Sequence, residues 1–456
     1  MKNESQIEHY KKMTETPVHK LILKLCIPTI LSMLVSNIYN LVDTAFVGKL
    51  GNSASGAVGI VFGFMTIIQA VGFMFGNGSG SILARRLGNK DIAGASTTAS
   101  TGFFLSLTLG AVASILCFIF IKPLVMFLGS TETIAPYAIT YISFILITAP
   151  IMTAGFTLNN ILRYEGKAFY AMIGMFSGCI LNIIGDYIFM FVFHMGIAGA
   201  GLSTAIGQLV SFKFLLMPFL RGKTQSKLSI RKLDLSLGHL YDIVATGFPS
   251  LLRQGLNSVA TILLNSLSGG YGDAAVAAMS IVSRVFFFIF AIALGVGQAL
   301  QPICSFNYGA KKFSRVRKAY RFTSIMATAI IIIPSIFVLI MAPQTIYLFR
   351  EDMDVVGFGT RALRLQCIAG VVMPFCMTTE LLLQSTGKKL PASILSALRS
   401  GVIFIPALLI FHHFRGMAGI QEAQPFAYAM SIFPTLFFST QYFQKLPKSD
   451  GKPDKA

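Results

Sequence analysis

Few residues in this 456-residue chain are placed to do chemistry, and the plainest is Asp186, set in the apolar run "LNIIGDYIFMF" at 181–191. Asn182 precedes it by four residues, so on a helix the amide and the carboxyl share one face. Tyr39 and Asp43 repeat that spacing in another apolar run, and Thr204 sits in a third. Polar groups in such runs are costly and usually face a cavity or a partner. Burial disfavours the charged form of a carboxylate, and a second carboxylate nearby adds to the effect. A pair of this kind suits reversible capture and release of an ion. Other readings stay open: Asp43 as a helix-end residue at headgroup depth, Asp186 as a structural hydrogen-bonded acid, and Asn182 and Thr204 as packing residues. Glu380 is a further candidate carboxylate, near one end of its run. Only Arg253 and Arg284 are expected well inside apolar runs, with Arg284 paired with a carboxylate or backbone carbonyls in a structural role.

Other chemistries lack their residues. There is no GxxxxGK[ST], so ATP is not a direct energy source, and no HExxH for metal catalysis. The glycine-rich "GNGSG" at 76–80 lies inside an apolar run, where close helix packing explains it better than phosphate binding. The six histidines show no ligand spacing, and no cofactor or metal site is expected. The six cysteines are scattered without CxxC and read as small buried hydrophobes. The net charge of +19 is spread over loops, leaving no basic domain for nucleic acid.

The elements that must position the carboxylates are membrane helices. Hydrophobic residues make up 54% of the chain and charged ones 12%, with mean hydropathy +0.70. A soluble domain carries about 25% charged residues. The fold class is therefore an all-α integral membrane protein. We count twelve spans, at about 21–46, 55–80, 93–121, 134–158, 168–193, 196–220, 241–267, 274–300, 319–343, 355–383, 391–414 and 420–443. The polar first twenty residues show no cleavable signal pattern. Lys and Arg gather in the N-terminal tail, the even-numbered connections and the C-terminal tail, as in Arg85, Arg86, Lys90, Lys311, Lys312, Lys388 and Lys389. Odd-numbered connections hold isolated ones: Lys49, Lys122, Arg350 and Arg415. Both termini are expected in the cytoplasm and the chain in the plasma membrane. On this reading Asp43, Asp186 and Thr204 lie at similar depth in the outer half of the first six spans.

The chain also repeats itself. A shift of 221 residues superposes Pro28 on Pro249, Gly51 on Gly272, Gly76 on Gly297, Gly88 on Gly309 and Lys90 on Lys311. "EGK" at 165–167 meets "TGK" at 386–388, and "GIAG" at 196–199 meets "GMAG" at 416–419. The twelve spans are two parallel six-helix repeats: an N-terminal lobe 1–220, a basic cytoplasmic linker 221–240 and a C-terminal lobe 241–456. Repeats of this kind are expected to carry the substrate path between them. Asp43 falls opposite Leu264, and Asp186 opposite Ala407 or Pro406. The carboxylates thus occur in one copy only, which favours function over scaffold.

Four segments carry a family likeness: "PTILSMLVSNIYNLVDTAFVGKLG", "LNIIGDYIFMF", "GAGLSTAIGQ" and "ALGVGQALQPICSFNYGAKK". With them the chain resembles the MATE (multidrug and toxic compound extrusion) transporters over nearly its whole length. The resemblance implies a secondary antiporter, not an enzyme. It would export cationic amphipathic compounds in exchange for inward H⁺ or Na⁺, with no cofactor beyond that ion. It points to the branch with coupling carboxylates in the N-terminal lobe. Asp43, Asn182 and Asp186 match its acidic and polar positions, Tyr39 and Thr204 their companions, and Pro28 the proline at which the first span bends. One departure is Tyr187, where the family motif usually has proline after the acid. The supply of 40 Phe and 20 Met against few intramembrane cations fits an apolar, aromatic cavity for such substrates.

Two rivals remain. A lipid-linked sugar flippase of the same superfamily would line its cavity with several Arg or Lys for pyrophosphate. A polytopic membrane enzyme, such as a lipid-modifying transferase, would need a clustered acid, base or metal set.

Overall fold

A computed structural model of the chain describes residues 2–451. Residue 1 and residues 452–456, over which the lobe limits and the topology reading also extend, lie outside the described residues. Seventeen α-helices follow in order. The first six are α1 Lys2–Glu15, α2 Val18–Gly48, α3 Asn52–Gly88, α4 Ile92–Ile119, α5 Ile121–Phe127 and α6 Ala135–Tyr164. Next come α7 Ala168–Asp186, α8 Ile197–Leu220, α9 Leu237–Gly269, α10 Asp273–Gly309, α11 Phe313–Ile340 and α12 Ala342–Phe349. The last are α13 Met353–Gly370, α14 Met373–Ser385, α15 Lys389–Ala397, α16 Phe404–Arg415 and α17 Met417–Lys445. Among the described residues nine helices are long and apolar enough to cross a membrane, and α13 with α14, bent by 50°, makes a tenth. The long helices α9 and α17, of 33 and 29 residues, are more polar and complete the twelve. The chain is a multi-pass, all-α membrane protein. The helices expected from the sequence are present; α1, α5, α12 and the break in the tenth span are additions.

Two π-helical turns interrupt the pattern, at Tyr187–Val192 directly after Asp186 and at Leu398–Val402 around Arg399. Such turns widen a helix locally and are frequent at functional sites.

The duplication is written into the backbone. Lys90 and Lys311 both take a left-handed φ, of 65° and 57°. Gly51 and Gly272 take 107° and 96°, Gly166 and Gly387 72° and 78°, Gly196 and Gly416 57° and 58°. These are the residues that the sequence shift pairs, so the repeat is one of turns as well as of composition.

The helices form two compact units. The first includes Leu31–Leu251, the second Tyr10–Ile30 and residues 252–451. The divisions fall inside α2 and α9, after Ile30 and Leu251, each two residues beyond a duplicated proline, Pro28 or Pro249. Backbone contact fixes these assignments. In the second unit α2 begins against α10: a Cβ on Gly295 would stand 2.8 Å from Cα of Ile30, and Thr29 Oγ1 donates to Gly295 O at 3.0 Å. In the first unit α9 begins against α3: a Cβ on Gly247 would strike the carbonyl of Met74, and Asn77 Nδ2 donates to Ser250 Oγ at 2.9 Å.

In the first unit α6 is central, packing on α3, α4 and α8, while α7 packs on α8. Lipid tails are as apolar as leucine, so close backbone approach, rather than a hydrophobic drive, holds such helices together. The α3 face does this with Gly72, Gly76 and Gly80, one turn apart. Cβ atoms there would meet Phe156, Asn160 and Tyr164 of α6. That contact explains "GNGSG" as packing. Between α7 and α8, Gly178 and Gly207 approach each other's backbone in the same way.

The 221–236 segment is strapped to the first unit. Glu165 is fully buried and accepts from Gln225 N at 2.8 Å, Ser226 N at 3.0 Å and Ser226 Oγ. Ser100 Oγ on α4 donates to Lys227 O and accepts from Ser229 N, both at 3.1 Å.

Candidate functional site

Asp186 ends the regular part of α7 and is fully buried, while Asp43 lies near the end of α2 at 7% exposure. The two carboxyl groups lie beside each other. Ionised carboxylates only accept, so a bond between them requires a proton. No lysine or arginine among the described residues bonds to either, and no N–H or O–H reaches their Oδ1 atoms.

The surrounding groups come from four helices. Asn182, one turn before Asp186, donates its amide nitrogen to Asp186 Oδ2 at 3.1 Å. It does so in the orientation whose oxygen accepts from Thr204 N and Oγ1, both at 3.1 Å. That orientation is assigned from its partners. Ser203 Oγ, on α8, donates to Asn182 O at 2.7 Å, beside the Asp186 carboxyl. Tyr141, on α6 and 1% exposed, has its hydroxyl beside Thr204. Tyr39, on α2, is half-buried in the neighbourhood of Asp43, Tyr141 and Asp186. The π turn begins at the residue after Asp186, so the α7 backbone loosens where its acid must serve the cluster.

The structure thus brings together Tyr39, Asp43, Asn182, Asp186 and Thr204. Pro28, inside α2, lies in the other unit. Sequence reasoning missed Tyr141 and Ser203. Tyr141 is one of 14 tyrosines and stands in an apolar run, where its ring reads as packing. Ser203 directly precedes Thr204, and its sequence position gave no separate signal. The arrangement can hold one proton, or one small cation, between two buried acids. No group of three or more His, Cys, Asp or Glu among the described residues forms a metal cage.

The second unit buries a different cluster. Glu380, on α14 and fully buried, accepts from Arg253 Nη1 at 2.7 Å and Ser396 Oγ at 3.1 Å. Its Oε2 pairs with Arg399 Nη2 at 2.9 Å. Two expectations are corrected here. Arg399 is a buried arginine inside the eleventh span, where only Arg253 and Arg284 were expected well inside spans. Arg284 is exposed and has no hydrogen bond or ion pair among the described residues, so it does not pair as expected. Glu380 is the counter-charge to both Arg399 and Arg253.

Comparison with known proteins follows the same division. The sequence pattern of the MatE family matches twice, over residues 28–188 and 249–410. The multidrug export protein MepA of Staphylococcus saprophyticus is 27% identical over 421 residues, covering 92% of each chain. MepA of Staphylococcus haemolyticus is 25% identical over 424 residues, covering 93% of each. Among solved structures, the outward-facing conformation of a multidrug resistance MATE family transporter of the MOP superfamily superposes with a TM-score of 0.90 at 29% identity. It spans 96% of this chain and 98% of that one.

Proposed function

The chain belongs to the MatE family, and on that premise we propose that it is a secondary multidrug exporter. It moves cationic amphipathic compounds outward in exchange for inward H⁺ or Na⁺, and it is a transporter rather than an enzyme. Coupling is assigned to Asp43 and Asp186, with Asn182, Thr204 and Tyr39 completing the ion site and Pro28 as the bending point of α2. The observation that carries this reading is a buried acid pair with no basic partner. An ion taken up there biases the protein's conformational equilibrium, because the states bind ion and drug differently. The repeated halves 1–220 and 241–456, joined by 221–240, then have separate tasks, with ion exchange in the first. The loop charges support a plasma-membrane topology with both termini and the 221–240 linker cytoplasmic.

Reconstituted into proteoliposomes, the protein should export a cationic dye under an imposed proton or sodium gradient, without ATP, and leave a strongly anionic dye in place. Gradient-driven export of the anionic dye alone would overturn the substrate assignment. A cysteine at Ser229, in a background lacking accessible thiols, should resist an impermeant thiol reagent outside intact cells. Ready labelling would reverse the topology.

A further inference from the structure

The far end of the tenth span, opposite Lys388 and Lys389, carries a second feature unrelated to ion exchange. Helix α13 presents Met353, Gly357 and Arg361 one turn apart, with a groove on either side. The groove toward α12 is a cavity of about 490 Å³ lined by Pro343, Met353, Val356, Leu365, Arg361 and Arg364, among others. Its only charged residues are the two arginines. The groove toward α17 includes Asp354 beside Arg361 and so offers no net positive charge.

The arginines are unequally compensated. Arg361 Nη2 pairs with Glu422 Oε1 at 2.6 Å, and Glu422 also pairs with Arg415. Arg364, one turn further along the span, is exposed, and its one bond among the described residues is to a carbonyl, Leu339 O, at 3.3 Å. The neighbouring helix ends expose Ile340, Leu348, Phe349 and Met353, with Glu351 and Asp354 exposed at the α12–α13 turn. A guanidinium without a counter-anion at the edge of a hydrocarbon region is costly. A phosphate satisfies it by charge-assisted, fork-shaped hydrogen bonding.

We propose that the α12–α13 groove is a binding site for an anionic phospholipid, its phosphate on Arg364 and Arg361 and its acyl chain along Pro343, Met353, Val356 and Leu365. On the topology proposed above the lipid belongs to the outer leaflet. Gly357 also lines this groove, and a side chain built there meets nothing within 4 Å. Leucine at that position therefore fills the groove without disturbing α13.

The test is native mass spectrometry of the delipidated full-length protein titrated with phosphatidylglycerol, phosphatidylcholine or inorganic phosphate. Thermal unfolding in detergent serves as the check of folding. Wild type should retain phosphatidylglycerol over phosphatidylcholine. Arg364→Ala should lower that retention by about fivefold, the loss expected for one basic residue at an anionic headgroup. Gly357→Leu should lower it while keeping both arginines and the unfolding temperature. Inorganic phosphate should not compete. Unchanged phosphatidylglycerol retention in either folded variant would overturn the proposal. So would full competition by inorganic phosphate, which would mark a site for a soluble anion.

Discussion

Each unit buries acid, but in opposite company. The first holds Asp43 and Asp186 against each other with hydroxyls and an amide around them and no cation bonded to either. The second holds Glu380 between Arg253 and Arg399. The repeat makes the difference legible position by position. Under the 221-residue shift Glu380 falls on Asn159, Arg253 on Ser32 and Arg399 on Gly178, whereas Asp43 falls on Leu264 and Asp186 on Ala407. One scaffold was copied, and charge was placed on it twice, at unrelated positions. Burial alone therefore does not decide what a carboxylate does, since Asp186 and Glu380 are equally buried. Partners decide it. Two guanidinium groups already pair with Glu380, which leaves no place there for an exchanging ion. On the function proposed above, the aspartates are neutralised by an ion that comes and goes.

The comparison breaks most visibly at the aspartates. Asp43→Asn and Asp186→Asn should each lower gradient-driven dye efflux on the order of 100-fold, and the double variant should be little worse than either, as for residues acting as one unit. Efflux should be normalised to protein in the membrane. Additive losses would mean two separate sites. In the second unit the expected effect is on stability. Glu380→Met leaves Arg253 and Arg399 without their carboxylate and should lower the unfolding free energy by about 3–5 kcal/mol. Replacing Arg253, Glu380 and Arg399 together by methionine should restore much of it. Thermal unfolding in detergent reads both. The triple variant should also keep coupled efflux, and its loss would place Glu380 in the coupling path.

A smaller change sharpens the account of the first unit. Tyr141→Phe removes one hydroxyl from the Thr204 end of the cluster. At about 1 kcal/mol for a buried hydrogen bond, efflux should fall by roughly fivefold. No change in rate would reduce Tyr141 to packing.

The smallest effect concerns the loop at which the repeats again differ, with Glu165 where the second copy has Thr386. Burial, the strongest influence, pushes the Glu165 carboxyl above its ordinary value of 4.5. Its bonds from Ser226 and Gln225 and the charge of Lys167 pull the other way. The folded protein therefore holds this proton more tightly than the unfolded chain. Stability from this group is present below the ordinary value and is lost as pH rises through the raised one. As pH climbs from the ordinary value through the raised one, wild type should lose thermal stability relative to Glu165→Gln. A relative gain would reverse the sign assigned to burial.

The twelve spans and the duplication were legible because membrane helices announce themselves by length and apolarity, and because turns repeat as glycines and lysines at fixed offsets. The core of the candidate site was legible for a related reason: Asp43, Asn182 and Asp186 are polar exceptions in apolar runs. Tyr141 was not, since a tyrosine in a span fits packing as well as hydrogen bonding. Arg399 stands in an apolar run too and was readable, but its pairing with Glu380 joins residues from two different helices. The π turns and the break between α13 and α14 depend on how neighbouring helices meet, which a single run of residues does not encode.

The central claim is that Asp186 exchanges the driving ion. Its most direct test is the ratio of dye efflux from proteoliposomes with and without an imposed proton or sodium gradient, compared between wild type and Asp186→Asn. The account predicts a ratio well above one for wild type and a ratio of one for the variant, with the variant folded and inserted. A ratio in Asp186→Asn equal to that of wild type would contradict it.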